Sequence, residues 1–189
     1  KAEFLEKGYK DASLRNIVRS AGMTTGAFYG YYKSKEELFE ALAGRHYEYI
    51  LNRFKDAQKE FADLPPHRQP EVMSEISGLC MYDILHYAYD HLEECKLILC
   101  CSEGTKFSGL IDEMVEIEAE GTHAYQNVLR ELGRPSPKID PALEHILITG
   151  MFHTFFELVI HEMPLPDAEN YVKEMRAFYT AGWMKIMGQ

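Results

Sequence analysis

Three hydroxyl residues, Ser13, Thr24 and Ser34, stand in close succession, each just ahead of a short apolar-periodic segment. A side-chain oxygen in that position accepts from the first free amides of a helix and fixes where the helix begins. Three such caps commit this stretch to short helices joined by tight turns. Leu14, Ile17, Val18 and Ala21 follow Ser13 at the i, i+3, i+4, i+7 spacing of one helical face. Gly22 comes next, where a left-handed residue closes a helix. Met23 and Phe28 flank Thr24 as a hydrophobic staple, and the helix they predict runs from Thr25 to Tyr31. Ser34 with Glu37 forms a capping box and opens a helix reaching about Ala62. Ahead of these, Ala2 to Lys7 reads as a helix ended by Gly8. So short a helix is marginal alone and residue 1 is Lys rather than Met, so the expectation is that its beginning lies upstream.

No period-two pattern appears further along, and the chain reads as helical throughout. Pro65, Pro66 and Pro70 mark a loop. Helices are predicted over about Glu71 to Tyr89, Leu92 to Cys101 and Leu110 to Leu132. Two more are capped by Asp140 and Asp167 and end near Glu162 and Met187. The predicted fold class is all-α with about nine helices. A three-helix helix-turn-helix head occupies residues 1–46, and a C-terminal helical bundle occupies residues 47–189.

Charge separates the same two parts. The chain has 189 residues and a net charge of −10. Residues 1–46 carry eight Lys/Arg against six Asp/Glu, and the remainder twelve against twenty-four. The acidity therefore belongs to the body, and the head is mildly basic. At 46% hydrophobic residues the chain has the material for a sizeable core. The longest apolar run, Ile146 to Ile160, is interrupted by His153 and Glu157, and the first residues contain no apolar leader core. A cytoplasmic protein without a membrane partner is expected. Cys80, Cys95, Cys100 and Cys101 show no metal-ligand spacing and are expected to be reduced thiols, with redox sensing as the alternative.

The head is where the residue pattern becomes chemically specific. One side of the third helix carries Phe28 for packing, with Tyr32 following. The other presents Thr25, Gly26, Tyr29 and Gly30. A side without bulk lets the backbone approach a surface closely, and the major groove of B-DNA admits one helix. Thr24, Thr25 and the adjoining amides are suited to phosphate oxygens, and Tyr29 and Tyr31 offer hydroxyls and ring faces. Ser13 and Lys35, each at a helix start, are placed for flanking phosphates. Arg15 on the second helix is either a contact or a solvated charge.

Phe4 to Tyr9, Ser13 to Ile17, Ala21 to Tyr32 and Lys33 to Leu38 together resemble the DNA-binding domain of the TetR family of bacterial transcriptional regulators. The resemblance covers about residues 2–46. It implies a homodimer whose heads bind a palindromic double-stranded operator, released when a small-molecule effector enters a pocket among helices 5 to 7. It also implies dimerisation through helices 8 and 9. No cofactor is expected. The operator-contacting positions it implies are Ser13, Arg15, Thr24, Thr25, Gly26, Tyr29, Tyr31 and Lys35. Gly30 departs from the family pattern, where a larger side chain is frequent, and Lys33 replaces a common proline.

In the body, Met73, Cys80, Met81, Tyr82, His86, Tyr89, Met114, His123 and Tyr125 are candidates for lining an adaptable pocket or simply for core. Glu113, Glu116, Glu118 and Glu120 read as a solvated face, or alternatively as favouring a cationic or amphipathic ligand. For the dimer seam the apolar candidates are Leu147, Met151, Phe155, Leu158, Val159, Tyr171, Met175, Phe178, Tyr179, Trp183 and Ile186. An enzyme or metal-binding reading remains as an alternative: a helical metalloprotein or oxidase using His153, Glu157 and His161, with Glu120/His123 and Asp83/His86 at i, i+3 spacing. A helical interaction module is a third.

Overall fold

The computed structural model describes residues 1–189 and contains helices and no strands. α1 (Ala2–Asp11) is kinked at Gly8, so it runs past the predicted stop to Asp11. α2 (Leu14–Ser20) begins at Ser13, whose hydroxyl accepts from the Asn16 amide. It ends in a Schellman turn: Met23 N–H donates to the Val18 carbonyl and Gly22 N–H to that of Arg19, with Gly22 at φ +67°. α3 (Thr25–Tyr29) is capped by Thr24, which accepts from the Ala27 amide at 3.1 Å. It stops two residues earlier than predicted. Gly30 and Tyr31 close it through tighter bonds to the Ala27 and Phe28 carbonyls.

α4 (Lys35–Ala62) starts at Ser34, whose hydroxyl accepts from Glu37 N–H while the Glu37 carboxylate accepts from Lys33 N–H. Its buried residues Phe39, Ala43, Tyr47, Ile50, Phe54 and Ala57 follow the helical period, which drives this stripe into the core. At 1.5 Å per residue α4 spans about 42 Å, long enough to run from the head to the far end of the body.

The body comprises α5 (Gln69–Asp90), α6 (Leu92–Cys101), α7 (Leu110–Glu131), α8 (Pro141–Ile160) and α9 (Leu165–Ile186). α5 takes in Pro70, which the first turn of a helix tolerates. α9 begins at Leu165 behind Pro164, so Asp167 lies inside the first turn instead of capping it. α4 packs on α5, α6 and α7; α8 packs on α7 and α6; α9 lies on α5; and α1 lies on α6. One continuous cluster of 29 buried residues runs from Phe4 and Phe39 through Leu97 to Phe152 and Val172, so the head shares its core with the body. Residue 46 falls within α4. By length and composition α8 is apolar enough to cross a membrane, beyond what the broken apolar run suggested. In this fold its Ile148, Phe152, Phe156 and Val159 are buried in the bundle core.

Candidate nucleic-acid interface

The turn between α2 and α3 is fastened from within. Phe28 is 4% exposed and its ring packs on Tyr32 and Tyr29. Glu3 accepts from the Ser13 amide and the Asn16 side chain, both at 3.1 Å, tying α1 to the start of α2. These bonds, that of the Ser13 amide foremost, hold the Glu3 carboxyl below its ordinary value.

With Phe28 committed inward, the rest of α3 faces out. Thr24, Thr25, Gly26 and Ala27 are exposed, Tyr29 is 56% exposed and Tyr31 74%. A methyl group built on Gly26 meets only the Thr24 hydroxyl, at 4.0 Å. Packing within the chain therefore gives no reason for glycine there, although Ala would favour the helix by roughly 1 kcal/mol. Arg15, Arg19 and Lys33 in the same head are exposed and form no ion pair. Arg19 was missed in the sequence, although it follows Arg15 at i+4.

Two expected contacts are placed differently. The Ser13 amide is taken by Glu3 and its hydroxyl caps α2, which leaves the hydroxyl proton free to donate. Lys35 does not project as a free phosphate contact. Its ammonium donates to the carbonyls of Tyr9 at 2.6 Å, Ala12 at 3.0 Å and Lys10 at 3.2 Å, and sits 4.5 Å from the Tyr9 ring centroid. These three carbonyls use its three donors, so Lys35 is a clamp that holds the end of α1 against the start of α4.

Residues 1–42 match the family model described as bacterial regulatory proteins, tetR family, and the match takes in all three caps and the exposed helix. These residues are similar throughout to the N-terminal domain of the TetR family. Over 167 residues it is 30% identical to the uncharacterized HTH-type transcriptional regulator YerO of Bacillus subtilis (strain 168), matching 88% of this chain and 55% of that protein. The chain thus spans about half the length of this curated relative. It is also similar to a transcriptional regulator described as TerR/AcrR family from Aquifex aeolicus VF5. That similarity is 24% identity with a TM-score of 0.47, over 90% of this chain and 89% of the other.

The body, beyond the residues that match the TetR-family model, holds a cavity of about 150 Å³. Its walls come from α4, α5, α7, α8 and α9. α6 contributes nothing, unlike the expected enclosure by helices 5 to 7; it packs against α1, α4 and α8. Of the residues expected to line a pocket, Met73, Cys80, Met81 and Tyr125 do so. The others are elsewhere. Met114 is fully buried in the core, and the Tyr89 hydroxyl donates to the Leu158 and Met163 carbonyls. Tyr82 is exposed, His86 pairs with Glu169 at 2.9 Å, and His123 pairs with Glu144 at 2.8 Å.

Glu118 overturns the reading of its helix as a uniformly solvated acidic face. It borders the cavity, and its carboxylate accepts from the Gln58 amide at 2.6 Å. Burial pushes this carboxyl up to about 7. Glu116 and Glu120 on the same helix are exposed, as expected.

The residues of the metalloprotein alternative are dispersed. His86, His123 and His161 sit in three separate pairs, with Glu169, Glu144 and Glu157. Instead the fold brings together His46, His91 and Glu94, whose ligand atoms lie within 4.8 Å of one another. Two cations already occupy this cluster. Arg45 donates to His46 Nε2 at 3.0 Å, and Lys1 lies 2.7 Å from Glu94. Burial, with Arg45 next, holds His46 below its ordinary value.

The expected dimer residues also divide. Phe155, Leu158 and Val159 are buried within the chain's own core, and Met151, Met175, Tyr179 and Trp183 border the cavity. Tyr171 and Phe178, the latter 73% exposed, lie on an outer face of α9. Ile146, 65% exposed, and Leu143 add an apolar stripe on the outside of α8 that the sequence reading did not select.

Proposed function

We propose that the protein is a homodimeric DNA-binding repressor, released from a palindromic operator when a small molecule enters the body cavity. The observation that carries this is the outward flank of α3: Gly26 bare without an internal steric reason, flanked by exposed Thr25, Tyr29 and Tyr31. Such a flank fits the major groove, with Arg15, Arg19 and Lys33 supplying phosphate contacts. Residues 1–46 then serve as the reading head and residues 47–189 as the sensing and pairing body. The outer faces of α8 and α9, with Ile146, Tyr171 and Phe178 exposed, offer the apolar surface for a two-fold seam. α4 supplies the connection. Lys35 clamps the head at one end, and Phe54, Gln58 and Phe61 wall the cavity at the other. A ligand that shifts the far end of α4 tilts the head it carries.

The test is affinity for the DNA upstream of the protein's own gene, followed against salt. Log affinity should fall steeply with log salt as phosphate counterions are released. Tyr29→Ala should weaken specific binding about tenfold and lower the melting temperature only slightly, since the ring is more than half exposed and loses only its edge contact with Phe28. A protein that remains monomeric at micromolar concentration in sedimentation, or shows no salt-dependent DNA affinity, contradicts this assignment.

A further inference from the structure

We infer that the cavity is built for a lipophilic monocation, a protonated or quaternary amine on an apolar body, with the Glu118 carboxylate as its counter-charge. This rests on the effector role given to the cavity above and specifies the chemistry of what enters it.

The first reason is charge. Glu118 is the one acidic residue on the cavity wall, and Gln58 is its one hydrogen-bond partner. Leaving a carboxylate so sparsely bonded in an apolar space is costly, yet the surroundings hold it there. A methyl group on Gly121 would lie 2.4 Å from the Gln58 side-chain oxygen, so glycine at 121 is what lets Gln58 lie across α7 and reach Glu118. The pair leaves the second carboxylate oxygen without a donor.

The second reason is the wall. Phe61, Tyr125 and Trp183 are among the lining residues, and aromatic rings attract a desolvated cation. Met73, Met81 and Met151 add adaptable apolar contact. A cavity of this volume accepts a group the size of benzene.

The third reason limits the ligand to one positive charge. Arg176 borders the cavity and lies across Gly78, where a methyl group would stand 2.3 Å from its Nη1; it has no carboxylate partner. A second positive centre would meet this guanidinium. Among the other groups on the wall, burial pushes the Cys80 thiol up to about 12 and raises the Tyr125 phenol, so neither carries charge near pH 7. The wall residues of α4 and α8 do not titrate. Glu118 is thus the sole source of negative charge.

The chain has one tryptophan, Trp183, and it borders the cavity, so its fluorescence reports entry. Benzyltrimethylammonium, its uncharged carbon isostere neopentylbenzene, and phenylacetate are titrated into the full chain. The cation should bind about tenfold or more tighter than the isostere. It should bind more tightly as pH rises through about 7, since the probe itself does not titrate and Glu118 must lose its proton. Glu118→Gln should erase the preference while keeping affinity for the isostere. The wild-type comparison decides alone if that variant does not fold. Equal binding of cation and isostere, or preference for phenylacetate, overturns the inference and leaves an effector cavity of other chemistry. No response to any of the three at millimolar concentration overturns both the inference and the effector role of the cavity.

Discussion

In the head, each capping oxygen finds an amide and each of the three donors of Lys35 finds a carbonyl. In the body, Glu118 faces an apolar cavity with a single donor. The head is internally complete, and what it leaves over is surface: a flank of α3 with less bulk than its own helix would prefer. The body leaves over volume and a charge. Both residues that lack an internal reason, Gly26 and Glu118, lie where something outside the chain is proposed to fit. The contrast shows how to separate the two kinds of polar residue here. Lys35, whose bonds close within the fold, is scaffold, and Glu118, with one donor, stands where a partner is proposed to fit.

The largest way to break this contrast is to remove the head's anchor. Phe28→Ala deletes the buried ring that holds α3, and should cost about 3 kcal/mol or more in denaturant unfolding. DNA affinity should fall with it. If stability were untouched, α3 would not be held as described. A smaller effect separates clamp from contact. Lys35→Met should lower stability by about 2 kcal/mol, because the carbonyls of Tyr9, Lys10 and Ala12 lose a charged donor. The slope of log DNA affinity against log salt should stay unchanged. A slope shallower by about one would instead make Lys35 a phosphate contact.

The smallest effect sharpens the body's side. A carboxyl whose folded value is about 7, above the ordinary range near 4.3, holds its proton more tightly when folded. Its contribution to stability is complete at pH below the ordinary value and is lost as pH rises through 7. Glu118→Gln escapes that loss. Its melting temperature should exceed that of the parent by a few degrees at about pH 8, and the gap should close towards about pH 4. A variant less stable than the parent at the higher pH would mean that the Glu118 carboxylate is satisfied after all.

The same contrast explains what was legible in the sequence. Caps are local: Ser13, Thr24 and Ser34 bond amides three residues on, so their spacing fixed the starts of α2, α3 and α4. Asp140 worked the same way for α8, accepting from Ala142 and Leu143. The Lys35 clamp was not legible, because its carbonyls lie 23 to 26 residues away and are gathered only once α1 kinks at Gly8. Glu118 was hidden among Glu113, Glu116 and Glu120, which look alike in sequence. What distinguishes it is Gln58, 60 residues away, lying over Gly121. The α8 and α9 faces divided for a related reason. Both helices are apolar around much of their circumference, so periodicity alone does not say which stripe turns inward.

Gly26→Leu tests the central claim most directly, because the claim makes stability and DNA affinity move apart. The site has open space around the missing side chain, and leucine favours helix over glycine by somewhat less than about 1 kcal/mol. The variant should melt at or above the temperature of the parent while its affinity for the upstream DNA falls at least about tenfold. Undiminished affinity in a variant that remains folded would contradict the account, since the flank of α3 would then face no groove.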